Sequence, residues 1–172
     1  ELMVIKMKNY DHEKNYSLPI KPSPNLPNDQ AINLYPSLCF FEGTNVNAGR
    51  GTTHQFQVFG SPDLNAEVFN YRYTPRPNDG AKHPKNEGKL CYGMNLTSEE
   101  KLSQINLGWL IKAYQNTKNK DEFFNNFFPK LAGTQKLQQQ IESGMSERAI
   151  KATWQAGLAN FQNTRKKYLL YR

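Results

Sequence analysis

Histidine and cysteine are scarce in this sequence, three of one and two of the other among 172 residues. His12, His54 and His83 stand far apart, and no C-x-x-C or H-x-x-x-H spacing offers a tetrahedral ion its ligands, so neither a metal nor a cofactor is expected. Cys39 and Cys91 each sit in an apolar stretch, where two buried thiols acting as small hydrophobes are expected ahead of a disulfide. Acidic residues are also outnumbered, 15 against 22 basic ones, giving a formal net charge of +7. That excess suits an anionic partner without choosing among nucleic acid, an acidic lipid surface and an acidic glycan. Long apolar runs are missing too. None approaches the roughly 18 residues of a membrane helix, so no membrane span is expected.

Hydrophobic residues make up 37% of the chain and mean hydropathy is −0.79, which is polar for a self-sufficient globule, while 12% aromatic content argues against disorder. The length leaves room for one core, hence for a single domain over residues 1–172. Long ordered loops are expected, and a surface that meets another domain is equally compatible.

The first 35 residues read as a strand, Leu2 to Met7, and a loop-like arm over Asn9 to Asn33 stiffened by Pro19, Pro22, Pro24 and Pro27. Residues 36–96 read as strands: Leu38 to Phe41, Phe56 to Phe59, Glu67 to Tyr73 with period-two alternation, and Lys89 to Leu96. Between the last two, Pro75 to Gly88 has the composition of a mobile loop. From residue 97 the period becomes helical. Thr97 and Glu100 form a capping box ahead of Leu102, Ile105, Trp109 and Ala113. A helix is expected over Asp121 to Phe128, stopped by Pro129, and another over Thr134 to Glu142. A last one, capped by Ser146, carries Ile150, Trp154, Leu158 and Phe161 toward the sheet. Trp109 and Trp154 on these faces read as core. Strands first and helices last argue for an α+β fold with a mixed or mainly antiparallel sheet and C-terminal helices packed on it.

One stretch looks built for chemistry: PSLCFFEGTNVNAGRGTTHQFQVFGSP, from Pro36 to Pro62. An apolar run delivers one carboxylate, Glu42, into a loop rich in Gly, Asn and Thr that also holds Arg50. Glu42 is the only acidic residue between Asp29 and Asp63. A lone carboxylate leaving an apolar strand is partly desolvated, which suits a catalytic acid. The competing reading, equally weighted from the pattern, pairs Glu42 with Arg50 or uses it to cap the loop's own amides. Arg50 offers a planar fork that fits a ligand carboxylate, or else staples the loop. Asn45, Thr52 and Thr53 can bond sugar hydroxyls, or simply hold the turn.

The string FEGTNVNAGRGTT followed by F-x-x-FGSP resembles the hallmark of the NamZ-type exo-β-N-acetylmuramidases, bacterial glycoside hydrolases. LMVIKMKNY, PSPNLPN, CYGMNL, LAGTQKLQQQIESG and RKKYLLYR resemble the C-terminal half of that family in the same order, so the resemblance covers nearly the whole chain. It implies a C-terminal, cleft-forming part of an enzyme that releases β-N-acetylmuramic acid from the non-reducing ends of peptidoglycan fragments. The family's N-terminal Rossmann-like domain has no counterpart here and is the implied partner, beside the glycan substrate. The implied location is extracytoplasmic, periplasmic or secreted, in a bacterium. Glu42 becomes the implied catalytic carboxylate, with Asn45, Arg50, Thr52, Thr53 and His54 as substrate contacts. At least one essential group then comes from the other half, and this chain alone is expected to be nearly inactive. The chain departs from the family pattern at His54-Gln55, where Arg-Pro is usual, and at Asn65, where Asp is frequent.

Two other functions compete. A non-catalytic cell-wall glycan-binding module would use the same loop. A nucleic-acid binder is suggested by charge and aromatics alone, and no RRM, helix-turn-helix or zinc-finger signature supports it, so no nucleic-acid partner is expected.

Overall fold

The computed structural model describes residues 2–171. Its first helix, α1 (Asp29–Leu38), starts where Asn28 accepts a hydrogen bond from the Ala31 amide at 2.9 Å and where Asp29 meets the positive helix end. Ala31, Leu34 and Leu38 recur on one face and are fully buried. The expected strand at Leu38 to Phe41 is therefore the end of a helix. Pro36 removes one ladder bond in the last turn of α1, and the chain tightens into a 3-10 turn, Cys39–Gly43. Glu42 leaves a helical turn, not a strand.

Three short strands follow: β1 (Val58–Ser61), β2 (Tyr71–Tyr73) and β3 (Cys91–Asn95). They form one antiparallel sheet in the order β1-β3-β2, with Val58 opposite Asn95 and Tyr73 opposite Cys91. Helices then run in series: α2 (Gly108–Gln115), α3 (Phe128–Ala132), α4 (Lys136–Glu142), α5 (Glu147–Ala152) and α6 (Gln155–Arg165). The architecture is α+β with an antiparallel sheet, as expected from the sequence.

Phenylalanine fills the middle. Phe41 stacks on Phe59 of β1 with ring centroids 4.6 Å apart, Phe59 meets Phe69 edge-on, and Phe123, Phe124 and Phe128 interlock beneath the 3-10 turn. Full burial of such a ring stabilises by about 1.5–3 kcal/mol, so Phe41 anchors the residue that follows it. Trp109 is buried and Trp154 packs partly buried against the same core. Cys39 and Cys91 are free thiols. Burial pushes them up to about 11 and about 12, which leaves little reactive thiolate near neutral pH.

Several expectations are corrected. Leu2 to Met7 is not a strand but an exposed segment without regular structure, with Leu2 and Ile5 about nine-tenths exposed; among the described residues no strand pairs with it to take up its backbone groups. The arm ends at Asn28, because that residue caps α1. Within Glu67 to Tyr73 only the last three residues pair. The capping box at Thr97 does not form. Thr97 instead donates to Asn95 at 2.7 Å, and the helix waits until Gly108. Pro129 opens α3 rather than closing a helix before it, since the first turn has no ladder bond for proline to break. Ser146 does cap α5 through the Ala149 amide. Its stripe is broken at Thr153, however, and Leu158 and Phe161 on α6 stay exposed instead of packing on the sheet.

Candidate functional site

Glu42 reaches the surface where the 3-10 turn, the glycine-rich loop and residues 83–85 meet. The loop is held by backbone, not by regular structure. Asn47 and Gly60 exchange hydrogen bonds at 2.8 and 2.9 Å, and the Phe56 amide donates to Ala48 at 2.9 Å. Gly49 and Gly51 take φ of 76° and 82°, and a Cβ on Gly51 would meet Pro84 at 2.6 Å. Both residue type and space are therefore dictated at that position. Tyr73 from β2 donates its hydroxyl to the Asn47 carbonyl at 3.1 Å, tying the loop to the sheet.

Arg50 Nη1 lies 3.1 Å from Glu42 Oε1, with the two side chains 41% and 26% exposed. The pair is neither sunk in the core nor fully in water. It lines a cavity of about 100 Å³ with Val46, Asn47, Ala48, His83, Pro84 and Lys85. Glu42 is the only carboxylate of that wall. Arg50 Nε is buried without a partner, so the guanidinium is not saturated by its ion pair. Lys85 stands beside them with its ammonium turned inward. Burial pushes it down to about 8, the Glu42 carboxylate opposing and Arg50 reinforcing the shift.

Of the six residues singled out in the sequence, the structure brings Glu42 and Arg50 together and keeps the others off the cavity wall. The Asn45 amide turns toward Asp63 at 3.3 Å. The Thr52 hydroxyl donates to Gly49 at 2.7 Å and accepts from the His54 amide at 2.9 Å, closing a local turn. Thr53 is exposed and His54 half-buried. Glu42 stands as an ion-paired carboxylate beside a guanidinium, the pairing that the sequence offered as the competing reading. That form suits a base, a nucleophile or a charge that stabilises a cationic transition state.

The sequence reading missed His83, Pro84 and Lys85. Their segment has the composition of a mobile loop, yet it is bolted down. Arg76 donates its amide to Gly51 at 2.9 Å, Gly88 to Pro75 at 2.9 Å, and the Asn86 side chain reaches the Asn45 carbonyl at 3.0 Å. A contact made across 43 residues leaves no spacing signature to find.

A larger cavity, about 910 Å³, lies elsewhere, between Tyr16 and Leu18 of the arm, α1 and residues 101–105. Its amides are already engaged, Asn33 with both backbone groups of Leu102 and Gln30 with the carbonyls of Leu96 and Glu99. Asp29 and Lys101 both line it without an ion pair between them, whereas Glu42 and Arg50 meet at 3.1 Å, and the smaller cavity is the better candidate. Among the described residues no group of three or more His, Cys, Asp or Glu could hold a metal ion, and no helix is long and apolar enough to cross a membrane.

Residues 33–171 match the family described as exo-beta-N-acetylmuramidase NamZ, C-terminal. The chain is 33% identical over 189 residues to the peptidoglycan beta-N-acetylmuramidase NamZ of Bacillus subtilis, an alignment that takes in 99% of this chain and 46% of that protein. A crystal structure of a DUF1343 family protein from Bacteroides fragilis superposes with a TM-score of 0.88 at 49% identity, over 96% of this chain and 47% of the other. A second DUF1343 family protein from the same organism shares the fold, with a TM-score of 0.63 at 15% identity over 89% and 45% of the two chains. The chain thus spans about half the length of the relatives it matches.

Proposed function

The chain belongs to the family of NamZ exo-β-N-acetylmuramidase C-terminal regions, and from that premise we propose that it supplies one wall of the cleft of an exo-acting glycoside hydrolase. The substrate is the β-N-acetylmuramic acid residue at the non-reducing end of a peptidoglycan fragment, and the site of action is outside the cytoplasm. The observation that carries the proposal is a partly exposed carboxylate, Glu42, paired at 3.1 Å with an arginine on the wall of a surface cavity.

Glycosidic cleavage needs one group to protonate the leaving oxygen and a second to attack or to activate water. The cavity wall holds a single carboxylate and measures about 100 Å³, below the roughly 300–1,000 Å³ of an ordinary ligand site. Both facts support a cleft completed by another part of a longer protein, a Rossmann-like domain in the family resembled. Glu42 acts as the nucleophilic, basic or charge-stabilising carboxylate, and the proton donor comes from the facing part. Arg50 keeps donors free beyond its bond to Glu42 and reads the lactyl carboxylate that distinguishes N-acetylmuramic acid from N-acetylglucosamine. Thr53 and His54 stand at the rim, while Asn45 and Thr52 hold the loop in shape.

The test is release of N-acetylmuramic acid from a chromogenic β-muramide by the complete gene product, by its Glu42→Gln form and by the 172-residue chain alone. The complete protein is expected to turn over. Glu42→Gln is expected to lose about 100-fold or more in kcat while still binding the sugar, and the isolated chain to be nearly inactive. Sugar binding without turnover in the complete protein would favour a wall-binding module instead.

A further inference from the structure

Lys85 comes from a different loop than Glu42 and yet holds the backbone on both sides of it. Its ammonium donates to the main-chain carbonyls of Phe41 at 2.8 Å, Glu42 at 3.3 Å and Val46 at 3.1 Å, and to that of Thr44. An ammonium has three protons, so four acceptors engage all of them and none remains for a ligand. On either side the loop is fastened again: the Asn47 side-chain Nδ2 donates to the Lys85 carbonyl at 2.8 Å, and the Asn86 Nδ2 to the Asn45 carbonyl at 3.0 Å.

The position explains the need. α1 runs directly into the 3-10 turn Cys39–Gly43, and the end of such a run leaves carbonyls without ladder partners and a partial negative charge. A carboxylate at that end is in the wrong electrostatic place. Glu42 stands there all the same, with Arg50 on its side chain and Lys85 on the backbone beneath it. Neutral turn residues would satisfy the same carbonyls less completely, and an ordinary helix would avoid an acid at this point.

We infer that Lys85 is a positioning residue for Glu42: by drawing four carbonyls of the Phe41–Val46 segment onto one ammonium, it fixes where the carboxylate meets substrate. The inference rests on the proposed role of Glu42, and it can fail separately from it.

Two variants of the complete protein that contains this chain decide the matter. Lys85→Met keeps the length of the side chain and removes the charge. Lys85→Ala opens the cradle to an added alkylammonium ion. Lys85→Met is expected to lower kcat about 100-fold, the effect of moving a reacting group by about 1 Å, with KM nearly unchanged. Lys85→Ala is expected to regain much of its activity in ethylammonium and none in a bulky amine such as tetraethylammonium. In the 172-residue chain, amide hydrogen exchange over residues 41–50 is expected to quicken in both variants, to slow again when ethylammonium is added to Lys85→Ala, and to stay unchanged in β1 and β3. Unaltered kcat in Lys85→Met, exchange that quickens everywhere, or an alanine variant that no amine restores would each overturn the inference. If the unsubstituted complete protein does not cleave the muramide, the functional proposal fails, and the exchange and rescue pattern alone decides the role of Lys85.

Discussion

Gly43 and Phe128 meet backbone to backbone: a Cβ added to Gly43 would lie 2.5 Å from the Phe128 Cα and 2.8 Å from its nitrogen. The contact seats α3 against the turn that carries Glu42, and the Gly43 carbonyl fastens it by accepting from the Asn125 amide at 3.0 Å. Because the obstacle is main chain, it cannot swing aside. Gly43→Ala is therefore expected to destabilise the domain by roughly 1–3 kcal/mol, the range for overpacking. Urea unfolding is the measurement, with the midpoint lowered and the slope unchanged. A midpoint equal to that of the unsubstituted protein would mean that α3 can move away at little cost.

Arg50→Lys separates charge from shape. Lysine preserves the positive charge beside Glu42 but loses the planar fork. N-acetylmuramic acid is expected to bind the complete protein about tenfold more weakly, the loss of one charge-assisted hydrogen bond, while N-acetylglucosamine, which lacks the lactyl carboxylate, binds as before. Titration calorimetry with both sugars reads the difference. Equal weakening of the two would remove the lactyl group from the role assigned to Arg50.

Glu147 makes stability depend on acidity. Its carboxylate accepts from the Leu107 amide at 3.0 Å and pairs with Lys151 at 2.7 Å, joining α5 to the start of α2. Burial works to raise this carboxyl, but the Lys151 ammonium and the amides of Leu107 and Gly108 outweigh it and hold the group below its ordinary 4.5. A carboxyl lowered in the folded state contributes stability above its unfolded value and loses it as pH falls through the folded one. Thermal melts from pH 7 to pH 3 are expected to show Glu147→Gln less stable at the upper end, with the gap closing below about 4.5. A gap that stays constant with pH would assign Glu147 a role in packing alone.

The fold was legible in the sequence only in part. β3 falls inside the strand expected over Lys89 to Leu96, and Ser146 caps a helix as expected, since both signals are local. The apolar run at Leu38–Phe41 misled, because four hydrophobic residues look alike at the end of a buried helix and in a strand. Only Asn28, eleven positions upstream of Cys39 and followed by a stripe of Ala31 and Leu34, distinguishes the two. Pro129 misled in the opposite direction, since proline ends some helices and begins others. For the candidate site, Glu42 and Arg50 were legible through their shared loop. Lys85 was not, because its partners are carbonyls, which every residue carries and no side-chain pattern records.

α6 lays no side chain in the interior, and eleven residues of helix without a packed face are marginal in water. Its stability is lent by what precedes it, chiefly Trp154 resting on the core. The tail is thus a weakly cooperative unit: a protease would nick it while the ring stack of Phe41 and Phe59 stayed whole, and the remainder would still carry every residue that lines the small cavity.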